Sequence, residues 1–136
     1  AMKTPSRPQD LAAAQICFGV EIETMIPATA QVAVGGYHRG TAVTSGRDQS
    51  TGDLIQAPVL APEDTVNAPV WRADRDGSIQ CDAGYVPAEF ASPILRGEAG
   101  LANLRAMVEF IQRIGGQVNR SCGLHITVGV RSVIGT

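Results

Sequence analysis

Aromatic side chains make up only 4% of this 136-residue chain, so alanine, valine and isoleucine must do most of the packing. Runs of like charge are missing too: the 11 basic residues are scattered, and the formal net charge is −2. That weighs against nucleic acid or an anionic membrane as the main partner. No apolar stretch approaches the length of a membrane span. The N-terminal AMKTPSRPQD is polar and proline-bearing, with no apolar signal core. The cysteines are few, odd in number and widely spaced, at Cys17, Cys81 and Cys122. They fit a reducing cytoplasm better than a disulfide framework. The sequence has no internal repeat. It also lacks the G-x-x-x-x-G-K-[ST] and G-x-G-x-x-G loops that cradle nucleotide phosphates.

What is there suffices for a hydrophobic core in one domain over residues 1–136: 44% of the chain is apolar and 18% charged. Residues 16–26 alternate, with Ile16, Phe18, Val20 and Ile22 against Cys17, Gly19, Glu21 and Glu23. This predicts a strand, ended by Pro27. About residues 28–69 form a long excursion rich in small and turn-forming residues. It reads as a partly mobile loop with room for a β-hairpin, either a lid over the site or an inert insertion. Order returns at Val70-Trp71. Asp76-Gly77-Ser78 signals a turn before a short run at 79–81, and 86–94 predicts a further strand.

Residues 98–114 give the clearest helix. Leu101, Leu104, Val108 and Ile111 recur at helical spacing, with Met107 and Ile114 widening the stripe. Gly97 suits the N-cap, Glu98 the positive end of the dipole, and Gly115-Gly116 the stop. Residues 122–134 alternate again: Leu124, Ile126, Val128 and Val130 against Gly123, His125, Thr127 and Gly129. The order strand, long loop, two strands, helix, strand predicts an α+β fold. Its sheet is largely antiparallel and a helix covers one face.

The polar sheet face carries the chemistry. Glu21 and Glu23 are two apart in a strand and share that face, with Cβ atoms about 7 Å apart. Such a pair is too far apart to share a proton but suits carboxylates around a divalent ion; a solvated outer face gives the same alternation. Gly19 beside them clears space for close approach of a ligand. Glu89, in EFASP, is an isolated carboxylate in a nearly uncharged run and must be paired, liganded or at an edge. His125 has small neighbours on its face, which leaves room for something bound at the imidazole, although a lone histidine more often serves structure. Cys122-x-x-His125 with Cys81 invites a zinc reading. Strand geometry opposes it, and equally opposes a Cys–His nucleophile pair, because residues three apart point to opposite faces. Asp76 stands in an ordinary turn from which it could reach a metal or a substrate amine.

In order along the chain stand FGVEIE (18–23), W-x4-DGSI (71–79), EFASPIL (89–95), a helix, and QVNRSCGLHITV (117–128). This series resembles the amidoligase family, distant relatives of glutamine synthetase and glutamate–cysteine ligase. The resemblance implies a curved antiparallel sheet like part of the glutamine synthetase catalytic fold. It also implies ATP-dependent condensation of a small-molecule or peptide carboxylate with an amine through an acyl phosphate, with magnesium or manganese. Residue by residue, Glu21, Glu23, Glu89 and His125 match the catalytic metal ligands, while Asp76, Ser78 and Thr127 fall at substrate-binding positions. Two departures stand out. The family strand commonly carries a second histidine where this chain has Thr127. The family domain is also about twice as long, so the match implies the first half of such an enzyme. Arg72, Arg75, Arg96 and Arg120 are the basic residues nearest the motifs. A half-sheet implies an open edge through which copies of the chain could associate.

Overall fold

A computed structural model describes residues 16–35, 40–65 and 68–129. Its frame is a six-stranded sheet built around one central strand, β1 (Cys17–Pro27). Along one edge β1 pairs antiparallel with β6 (Tyr85–Ala91) and then with the short β7 (Leu95–Arg96). Along the other it pairs antiparallel with β8 (Leu124–Gly129). Beyond β6 lie β5 (Arg72–Asp74) and β2 (Thr41–Ala42). A separate hairpin joins β3 (Ser45–Arg47) to β4 (Leu54–Gln56), and α1 (Gly97–Arg113) is the single α-helix among the described residues. The sheet is open rather than closed into a barrel.

A hydroxyl makes the break between β6 and β7. Ser92 Oγ accepts the Val20 N–H at 2.9 Å and donates to Pro93 O at 2.7 Å, while the Ser92 N–H still reaches Val20 O at 2.8 Å. The chain can therefore bend at Ser92-Pro93 without stranding the amide of the central strand.

Period-two alternation sorts the two faces of β1. Val20, Thr24 and Ile26 are buried on one face with Phe90 and Ala88 of β6 and with Trp71 and Ala73 of the β5 region. α1 covers this face through Met107, Phe110 and Ile111, and Ile114 follows at its C-cap. Each such side chain contributes about 1.5–3 kcal/mol of burial. The sequence expectation placed the core stripe on Leu101, Leu104, Val108 and Ile111. The structure turns the helix: Leu101 and Val108 are exposed, Leu104 is partly buried, and Gly100, Asn103, Met107 and Phe110 face inward. Asn103 causes the difference. Its Oδ1 accepts the buried Trp71 indole N–H at 2.6 Å, so a polar residue takes a core position. Gly100 lets the first turn close onto Leu95, whose Cβ lies 3.0 Å from where a Gly100 Cβ would stand. The helix starts one residue after Arg96, its N-cap, and stops as Gly115 turns left-handed at φ +87°.

The described residues of the 28–69 excursion are packed into the body of the fold. Ala30, Val43, Ala57 and Leu60 belong to the main core. Gly46 of β3 meets the helix end so closely that a Cβ there would lie 2.8 Å from Ile114 Cγ2. Asp48 locks the hairpin. Its buried carboxylate accepts from Ser50 N at 2.8 Å, Ser50 Oγ at 2.7 Å and Thr51 N at 3.1 Å, and from Arg113 Nε at 2.9 Å. These donors, the Ser50 hydroxyl first, hold Asp48 far below the usual carboxylate range. The run at 79–81 is not a strand; the strand of that region is β5, before the turn. Of the predicted final strand, 124–129 is formed and 130–134 lies outside the described residues.

Candidate functional site

The face of β1 opposite α1 gathers the acidic residues, and strand register puts them there. Glu23 stands opposite Glu89, Glu89 in turn opposite Asp74, and Glu21 opposite His125. Directly opposed residues in antiparallel strands share a face. Glu21, Glu23, Glu89 and His125 therefore lie on one face of one sheet, as their alternation predicts.

Their side chains interact in sequence. His125 Nε2 lies 3.1 Å from Glu23 Oε1; the imidazole is mostly exposed and the carboxylate largely buried. Glu89 is pushed up to about 8, first by burial, then by its side-chain hydrogen bond to Glu21 and by the charges of Asp74 and Glu21. Asp76 is drawn in from the turn. Its Oδ1 accepts from Ser78 Oγ at 2.6 Å and Ser78 N at 2.9 Å. Those two bonds, with smaller contributions from hydrogen bonds to Glu23 and Glu89, hold Asp76 below the usual carboxylate range. The contacts run pairwise along the series Glu21, Glu89, Asp76, Glu23, His125. Among the described residues, no three His, Cys, Asp or Glu side chains close around a common point that could hold a metal ion. Nor is a lysine or arginine ion-paired to this series among the described residues.

Glycines shape the floor. Gly123 O accepts the Glu23 N–H at 2.9 Å. A Cβ on Gly123 would stand 2.8 Å from Glu23 Oε1, so the carboxylate occupies the space the missing side chain leaves. Gly19 has nothing within 4 Å of its would-be Cβ. Opposite it stands Thr127, exposed on the same face and one register step from the Glu21–His125 pair. Gly19 and Thr127, with Cys17, Phe18, Ile94 and Gly129, line an apolar cleft of about 310 Å³.

Of the other sequence candidates, Ser78 spends its hydroxyl on Asp76 and so shapes the turn. Arg72 is turned toward Gly40, to whose carbonyl it donates. Cys122 donates its thiol to Asn119 Oδ1 at 3.7 Å rather than joining His125. Sequence reasoning missed Asp74, which the β5–β6 register places opposite Glu89, and Ser92, whose hydroxyl bridges the strands behind the site. The S-P of EFASP was the one available signal for the latter.

Compared with known families, residues 14–133 match the family described as "Putative amidoligase enzyme", and the chain belongs to it. That membership carries a ligase-type function. No curated protein and no solved structure gives a significant match to the chain.

Proposed function

Proceeding from membership in the amidoligase family, we propose that this chain bears the cation-binding, substrate-activating face of an ATP-dependent carboxylate–amine ligase. The carrying observation is the acidic series on one sheet face, Glu21, Glu23, Glu89 and Asp74 brought together by strand register. There burial first, and then the neighbouring carboxylates, push Glu89 up to about 8, and no lysine or arginine is ion-paired to the series among the described residues. Such crowding costs stability that a cation would recover. The donors, hard carboxylate oxygens and one imidazole, suit magnesium or manganese in kind. Glu21, Glu23, Glu89 and His125 would hold the ion, after re-aiming from their pairwise contacts. When bound, it neutralises charge on the transferring phosphate. In this reading the substrate carboxylate takes the γ-phosphoryl group from ATP and releases ADP. The amine then attacks the acyl carbon and expels phosphate. Asp76, fixed by Ser78, would orient the amine, and the open space above Gly19 and Thr127 would take the carboxylate substrate.

A second reading is a metal-binding or interaction module without catalysis. It draws support from the lack of a lysine or arginine paired with the acidic series among the described residues, since phosphate charge needs cationic partners. On either reading the absence of a paired lysine or arginine from the described acidic series leads us to expect no amide-bond formation by the chain alone. Among the described residues β8 pairs only with β1, and the reading adds a partner at its outer edge: a second copy, pairing β8 against β8 through residues 124–128. That strand carries no aspartate, glutamate, lysine, arginine or proline, and antiparallel self-pairing closes about a twofold axis.

The first test is thermal melting with magnesium or manganese. Either ion should raise Tm, and Glu23→Gln should abolish most of the rise. No shift in wild type or variant would reduce the acidic series to solvated surface. Magnesium-dependent ATP binding then separates ligase from module. Release of ADP and phosphate by the pure chain, given amino acids, would refute its inability to act alone.

A further inference from the structure

Two loops that flank the carboxylate face are stitched together at Gln80. Its N–H donates to Ser121 Oγ at 2.8 Å, and its carbonyl accepts from Asn119 Nδ2 at 2.7 Å. Both loops also rest on the buried Met25, whose sulfur accepts from Asp82 N at 3.4 Å and Asn119 Nδ2 at 3.7 Å. Cys81 and Cys122 each stand one residue beyond the Gln80–Ser121 contact, and both are half-buried thiols. Gln80, Cys81, Asp82, Asn119, Arg120 and Ser121 line an open cleft of about 390 Å³, which admits a small reagent. Cys17, at the start of β1 opposite Gly129 and Arg96, belongs to neither loop.

We propose that Cys81 and Cys122 form a reversible disulfide that clamps the 76–82 loop to the 119–123 loop. The first loop carries Asp76. The second ends at Gly123, whose carbonyl holds the Glu23 amide and whose bare Cα faces the Glu23 carboxylate. The bond would fix Asp76 and the support of Glu23 at once. A low-molecular-weight disulfide such as oxidised glutathione is the oxidant. One thiolate attacks it and releases one glutathione thiolate, leaving a mixed disulfide. The second thiolate then displaces the other glutathione, so two thiols lose two electrons and the glutathione disulfide gains them. Burial first, then Cys122 and Asp82, raises the Cys81 thiol, so exchange is best run at mildly alkaline pH. The bond itself is independent of the ligase reading. In a reducing compartment it would be transient, as redox-sensing disulfides are.

The full chain, treated with oxidised glutathione and cut with trypsin, answers the question. Cys81 and Cys122 fall in different peptides, 76–96 and 121–131, and Cys17 in a third. The expected product is a 76–96/121–131 pair released by dithiothreitol. Cys81→Ser or Cys122→Ser should abolish it and Cys17→Ser should leave it, with reduced variants melting close to wild type to show that each folds. Amide exchange at Glu23 and Gly123 should slow in the oxidised chain. Retention of all three thiols, or a link that runs to Cys17, overturns the pairing. A correct link with unchanged exchange overturns the clamp.

Discussion

Glu23 Oε1 stands 3.1 Å from His125 Nε2, joining strands whose contacting residues lie 102 positions apart. The contact depends on Gly123, because a Cβ there would come within 2.8 Å of the same oxygen. Gly123→Ala should therefore re-aim the carboxylate rather than break the fold, since the obstacle is the tip of a flexible side chain. The expected result is a nearly unchanged Tm without cation and loss of most of the stabilisation by magnesium or manganese. Paired melts of wild type and variant check it.

Glu89 gives a pH dependence of definite sign. Its folded pKa, pushed up to about 8, lies above the ordinary glutamate value of 4.5, so the folded chain binds the extra proton between those limits. Stability should be greatest on this account below about pH 4.5, fall as pH rises toward 8, and level off above it. Urea titrations across that range should show the fall in wild type and lose it in Glu89→Gln. A cation at the site should flatten the slope, because it favours the ionised form.

The helix register yields a contrast between neighbours. Met107 is fully buried and Leu101 is exposed. Met107→Ala should cost about 2–5 kcal/mol. Leu101→Ala should stay within about 0.5 kcal/mol. Equilibrium denaturation of both variants measures the difference, and equal losses would contradict the orientation of α1.

β8 predicts self-association. Leu124, Ile126 and Val128 stand opposite Ile22, Val20 and Phe18, on the core face of the sheet, yet are 62%, 56% and 50% exposed, an apolar surface that the described residues leave uncovered. Sedimentation should show dimers or larger species, and Ile126→Lys should shift them toward monomer. A sharp wild-type monomer would defeat the edge argument.

Strand alternation made the site's residues legible. Glu21 and Glu23 share a face because two-residue periodicity fixes it, whereas His125 joins them through the β1–β8 register, which sets it opposite Glu21. The same periodicity found both faces of β8. The helix face was misread because hydrophobicity alone cannot see that Asn103 is wanted by a buried indole. Asp74 was invisible for a different reason: its place opposite Glu89 comes from pairing between β5 and β6, which local pattern does not specify. The excursion at 28–69 looked like loop because its buried residues, Ala30, Val43, Ala57 and Leu60, are spread among turns without a period.

The central position of β1 has a consequence for how the chain comes to be folded. This strand is synthesised early, yet its partners are residues 85–91, 95–96 and 124–129. The β3–β4 hairpin and α1 are local and can form within microseconds of leaving the ribosome. β1 cannot: until His125 has emerged, one of its edges has no neighbour and its apolar face only part of its cover. Pairings of such long separation are slow to close and leave the nascent chain open to misassociation. Glu23 consequently meets His125 only once β8 has emerged and paired, so on the proposed reading a cation arriving earlier would find its ligand set incomplete.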